Sequence, residues 1–107
     1  MDQGFLDLMR EDLVDLDVTE RKMFGGIAFM HRGNMVCGVH GDHGNYRVGK
    51  SRQEAALALP GTSPFRVGNR GPMGGMISAD AEAMADDDIR AQLTALSLEN
   101  ARELPPK

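Results

Sequence analysis

The sequence has no tryptophan, one tyrosine and one cysteine in 107 residues, and each scarcity removes a class of function. So few aromatic rings leave little surface on which bases could stack, which argues against a single-stranded nucleic-acid platform. The lone Cys37 has no partner for an internal disulfide. No apolar run approaches the roughly 18 residues of a membrane-spanning helix, and no positively charged leader precedes an apolar segment, so a cytoplasmic location is expected. Positive charge is short as well. Twelve Lys and Arg stand against sixteen Asp and Glu, a net charge of −4. That is the wrong sign for a domain gripping a polyanion along one face, and direct nucleic-acid binding is not expected.

What is present describes an ordinary folded domain. Hydrophobic residues make up 41% and charged residues 26%, a balance typical of globular chains. Eight methionines supply flexible filling for a core short of aromatics. At this length residues 1–107 form one domain that buries roughly two-thirds of its unfolded surface, without a metal or disulfide staple.

Periodicity divides the chain. Phe5 or Leu6, Met9, Leu13 and Leu16 recur at spacings of three and four among Asp7, Glu11, Asp12 and Asp15, which predicts an amphipathic helix. In "RKMFGGIAFMHRGNMVCGV" (residues 21–39) apolar residues crowd around Gly25-Gly26 and recur on both sides of Arg32-Gly33-Asn34, predicting two strands and a tight turn. The "HGDHG" cluster (40–44) is a further turn, and "NYRV" a third strand with Tyr46 and Val48 facing the helices and Arg47 opposite. In "SRQEAALALPG" Ser51 and Glu54 have capping-box spacing before a short Ala/Leu helix stopped by Pro60-Gly61. Phe65 to Val67 and Met73 to Ile77 flank Gly68-Asn69-Arg70-Gly71-Pro72 as a second hairpin. Asp86, Asp87 and Asp88 open a last helix carrying Ile89, Leu93 and Leu96, ending at Pro105-Pro106. The order α-β-β-β-α-β-β-α implies a two-layer α+β domain, an antiparallel five-stranded sheet with helices on one face.

Met23-Phe24-Gly25-Gly26 ahead of the apolar Ile27 to Met30, then "YRVGK" (46–50), Pro64-Phe65 before a basic, glycine-containing turn, and the closing "LENARELPPK" resemble the N-terminal domain of the TfoX/Sxy family. The resemblance runs from about Arg21 to the C-terminus. It implies a two-layer α+β fold and a role related to bacterial regulators of natural competence, which act with a cyclic-AMP receptor protein at certain promoters. It implies no catalytic residues. The regulators themselves carry a second, C-terminal domain, and this sequence stops at Lys107.

Three constellations invite chemistry. Gly44, Gly49, Lys50 and Ser51 satisfy the letters of a phosphate-binding loop, in which backbone amides cradle phosphates, Lys50 reaches the terminal phosphate and Ser51 holds magnesium. Residues 45–48 alternate like a strand, however, so Gly49 is better read as a strand-to-helix bend and Ser51 as the helix cap. Cys37, His40 and His43 offer a thiolate and two imidazoles, but strand alternation sends Cys37 and His40 to opposite faces. Cys37 in an apolar strand is no nucleophile either. Gly25-Gly26 with Arg21, Lys22 and Arg32, or Arg66 and Arg70 beside the second hairpin turn, could meet an anion or a partner; the plain alternative is a bulge in the sheet and solvated charges. No enzyme activity, metal or cofactor is expected. The expectation is a small regulatory or adaptor domain working by protein contact at a sheet edge or an apolar helix face, compatible with a homodimer through the same edge. The alternative is a nucleotide or small-molecule binder using Gly44 to Ser51.

Overall fold

A computed structural model describes residues 1–23, 25–66 and 71–107. Helix α1 (Gln3–Asp12) begins where the Asp2 carboxylate accepts the Phe5 N–H at 3.0 Å, relieving one of the amides that a helix start leaves bare. Leu6 and Met9 are buried along its inner stripe. Leu13 and Leu16 extend that stripe from the turns after the helix and pack into the same core.

The sheet follows: β1 (Thr19–Met23), β2 (Gly26–His31), β3 (Asn34–His40), β4 (His43–Arg47), β5 (Thr62–Arg66) and β6 (Pro72–Ala79). All neighbours are antiparallel, in the order β1-β2-β3-β4-β6-β5. The chain meanders through β1 to β4, then adds β6 beside β4 and leaves β5 at the edge. Helix α2 (Gln53–Leu57) lies between β4 and β5; α3 (Ala81–Ala85) and α4 (Asp87–Glu103) follow β6. Leu6 and Met9 of α1, Ala56 of α2, Ala83 and Met84 of α3 and Leu93 and Ala101 of α4 share one core with Phe29, Cys37, Val39, Tyr46, Val48, Ile77 and Ala79 of the strands. The helices therefore cover one sheet face, and Tyr46 and Val48 point into it as the alternation predicts.

The α+β antiparallel plan stands, with six strands among the described residues in place of five. The added strand is β1, "TERKM", whose first four residues are exposed. It has no apolar alternation to announce it and owes its conformation to pairing with β2. Gly25, at φ 75°, makes the turn between those strands, where the sequence suggests a bulge. The bulge lies instead between Phe29 and Met30. Helix α3 is also additional to the expected order; Asp80 caps it by accepting the Ala83 N–H at 2.9 Å. Asp86 accepts the Asp88 and Ile89 N–H groups, so the acidic run opens α4 as its composition implies.

Ser51 does not cap the second helix. The Val48 and Gly49 amides both donate to the Gly75 carbonyl, at 2.9 and 3.1 Å, and Gly49 turns the chain at φ 86°. A 3₁₀ turn, Lys50–Arg52, then intervenes, Ser51 is exposed within it, and α2 starts at Gln53 with no side-chain cap. The capping-box spacing was satisfied by letters, but the bend and the extra turn separate Ser51 from the bare amides it would serve.

Two long-range fastenings close the structure. Arg90 on α4 is buried and donates to Asp12 at 2.8 Å and to the Met84 carbonyl at 3.0 Å, a clasp between first and last helix. Beyond α4, the Pro105 carbonyl accepts from Asn34 Nδ2 and the Lys107 amide donates to the Arg32 carbonyl, both at 2.9 Å, tying the tail to the β2–β3 turn.

Candidate functional site

Register carries one row of residues across the whole sheet: Arg21 faces Ala28, Ala28 faces Gly38, Gly38 faces Asn45, Asn45 faces Ser78 and Ser78 faces Ser63. Their neighbours Phe29, Cys37, Val39, Tyr46, Ile77 and Ala79 fill the helix-side core. Alternation therefore turns this row to the opposite face. Apart from Arg21 its side chains are small, so it forms a furrow. On one flank Met35, Phe65 and Met76 join Ala28 in a second apolar cluster, against which Met23 and Met30 pack. Among the described residues no helix contributes to that cluster. On the other flank stand His40 and His43, opposite each other in the β3–β4 register.

Toward β5 the furrow opens into a groove of about 440 Å³ whose lining includes His40, Asn45, Ser63, Phe65, Arg66 and Ser78. Asn45 forms part of its floor at 3% exposure. Its Oδ1 is buried and has no hydrogen-bond partner among the described residues. Leaving such an acceptor unsatisfied costs about 1–3 kcal/mol. Arg66 is exposed and makes no ion pair among the described residues.

Charge separates by layer. Arg21 and Arg47 alternate with inward-facing neighbours and so lie on the face that no described helix covers, the open face, where Arg66 lines the groove. The carboxylates belong to the helices, their caps and the turn after α1; Glu20 reaches back to Arg10 of α1 at 2.8 Å, and Asp42, in the β3–β4 turn, pairs with His43 at 2.6 Å. A chain of net charge −4 thus presents a basic sheet face behind an acidic helical layer.

The candidates read from sequence distribute as follows. Cys37 is fully buried on the helix side, and burial together with the nearby Asp12 raises its thiol pKa well above the ordinary range. His40 and His43 lie across the sheet from it, and among the described residues no group of three His, Cys, Asp or Glu is arranged to hold a metal. Gly44 to Arg47 lie inside β4, paired on both sides, and the next two amides serve Gly75. That segment is a strand and a bend with Lys50 and Ser51 exposed beyond it. Lys22, Gly25 and Gly26 line a separate depression at the β1–β2 end with Met1, Met23 and Ile27. Arg21 and Arg66 share the open face at its opposite edges, and Arg70 lies outside the described residues. Sequence reasoning passed over Asn45, Ser63, Phe65 and Ser78. The signal of Asn45, Ser63 and Ser78 was small or polar character opposite core positions, Phe65 was read only as a strand residue, and only the strand register brings the four together.

The family profile of the TfoX N-terminal domain matches residues 14–101, most of the chain. No curated protein matches it.

Proposed function

The chain belongs to the TfoX N-terminal domain family, and from that premise we propose that it is a small, non-enzymatic regulatory or adaptor domain of the bacterial cytoplasm. It works by protein contact, in the transcriptional setting of the competence regulators. One observation carries the contact reading: the open sheet face combines a strand-only apolar cluster with three arginines. That cluster is itself buried, so the arginines around it are what the face offers, and they suit a partner that presents carboxylates. The face is favoured over the β1 edge because Glu20, Arg21 and Lys22 are exposed there, and charged side chains on an edge strand discourage sheet pairing. The experiment is affinity capture from the native cell with the wild-type domain and with Arg47→Glu as paired baits. A protein retained by the wild type and lost by the variant supports the reading. Identical profiles for the two baits reject it.

A further inference from the structure

We propose that the groove at the β4–β6–β5 end of the open face binds the free carboxylate end of an N-acylated amino acid, such as the last residue of a peptide chain. The inference rests on the protein-contact reading only for who supplies that group.

Asn45 lies in the floor of the groove, and its Oδ1 is buried without a partner among the described residues; a turn of the side-chain amide brings that oxygen to the groove. An occupant with an N–H aimed at that oxygen would remove the desolvation cost the empty fold carries. Across the groove, Arg66 has no competing ion pair among the described residues, and a guanidinium fork matches a carboxylate through two parallel hydrogen bonds. Ser63 and Ser78, opposite each other in register, place two hydroxyls between these ends. Phe65, 6% exposed, supplies an apolar wall. Donor, spacer, carboxylate and apolar side chain are the parts of an acylated amino acid, and about 440 Å³ falls in the range of ligand sites, roughly 300–1,000 Å³. Phosphate fits less well. The described lining comes from β3, β4, β5 and β6; the β3, β4 and β6 amides are engaged in ladders on both sides, only the edge strand β5 keeps amides outside one, and no helix start adds the bare N–H groups that phosphate sites use.

The test is titration of the isotope-labelled full chain with acetyl-Ala-Leu, followed by NMR. The free acid is expected to shift the Asn45 side-chain amide and the Ser63, Arg66 and Ser78 backbone amides, and the same peptide ending in a carboxamide to leave them in place. Arg66→Gln, at an exposed position, is expected to weaken binding about ten- to a hundredfold. Asn45→Ala is expected to abolish it while leaving the melting temperature of the free domain unchanged or higher, since an unpartnered buried acceptor is removed. N-acetyl-leucine separates the sources: equal binding assigns the groove to a small molecule, and binding about tenfold weaker than the dipeptide assigns it to a chain end. Equal shifts from the carboxamide, or the same shifts from inorganic phosphate alone, overturn the proposal. So does an Asn45→Ala domain that melts several degrees lower yet still binds, because Asn45 is then a structural residue. A wild-type domain that captures a partner sensitive to Arg47→Glu but ignores every free acid overturns the groove and leaves the adaptor reading standing.

Discussion

Gly49 holds the junction between sheet and helices at φ 86°, and a Cβ there would come within 2.6 Å of Asn100 Oδ1. Asn100 is nearly buried and its Nδ2 donates to the Arg47 carbonyl, so the obstacle cannot swing aside without giving up that hydrogen bond. Gly49→Ala is therefore expected to destabilise the domain by about 1–3 kcal/mol, read as a lower urea midpoint with an unchanged slope. Cys37 gives a second prediction at this scale. Its thiol is fully buried and its pKa is raised by desolvation, so thiol-directed reagents should label it only as fast as the domain opens, with full labelling in denaturant. Rapid labelling of the native protein would contradict this packing. Individual residues were legible where one face decided them: Tyr46 and Val48 by alternation, Asp86 by its acidic company. Ser51 and Asn45 were not, because a cap needs an amide in reach and an orphaned acceptor is orphaned only once its neighbours in space are known.

Among the elements, α1 and α4 declared themselves through stripes of apolar residues and the central strands through alternation around glycine turns. Strand β1 did not, since an exposed, charged edge carries no burial pattern. What fixes it, beyond its ladder with β2, is the bidentate hold of Arg10 on Glu20. The hydrogen bond from Arg10 holds the Glu20 carboxyl below its ordinary range. A depressed folded-state pKa contributes stability above the unfolded carboxylate's pKa, and loses it as pH falls through the folded value. Comparing wild type with Glu20→Gln by denaturant titration should show the wild type more stable at pH 7 and the gap closing under acid. The gap should be small, because both partners are substantially exposed. A gap that persists at pH 2 would mean that the pairing does not act through charge.

For the whole molecule, composition proved informative about class and blind to distribution. A net charge of −4 describes the sum of an acidic helical layer and a sheet face bearing Arg21, Arg47 and Arg66, and only the fold separates them. The furrow is invisible in sequence for the same reason: Ala28, Gly38, Asn45, Ser63 and Ser78 become neighbours through four strand pairings.

The clasp between Asp12 and Arg90 joins positions 78 residues apart, whereas β1, β2 and β3 each pair with the next strand in the chain. In folding kinetics this orders events: local hairpins can form before the transition state, and the closure of the first helix on the last comes after it. Arg90→Ala, which strands a half-buried carboxylate, should cost about 3 kcal/mol. Nearly all of that loss should fall on the unfolding limb of a chevron, roughly a hundredfold faster unfolding with refolding hardly changed. Equal displacement of both limbs would place the clasp inside the nucleus. With the loss confined to unfolding, Arg90 acts as a timer, setting how long the domain stays shut rather than how quickly it finds its fold.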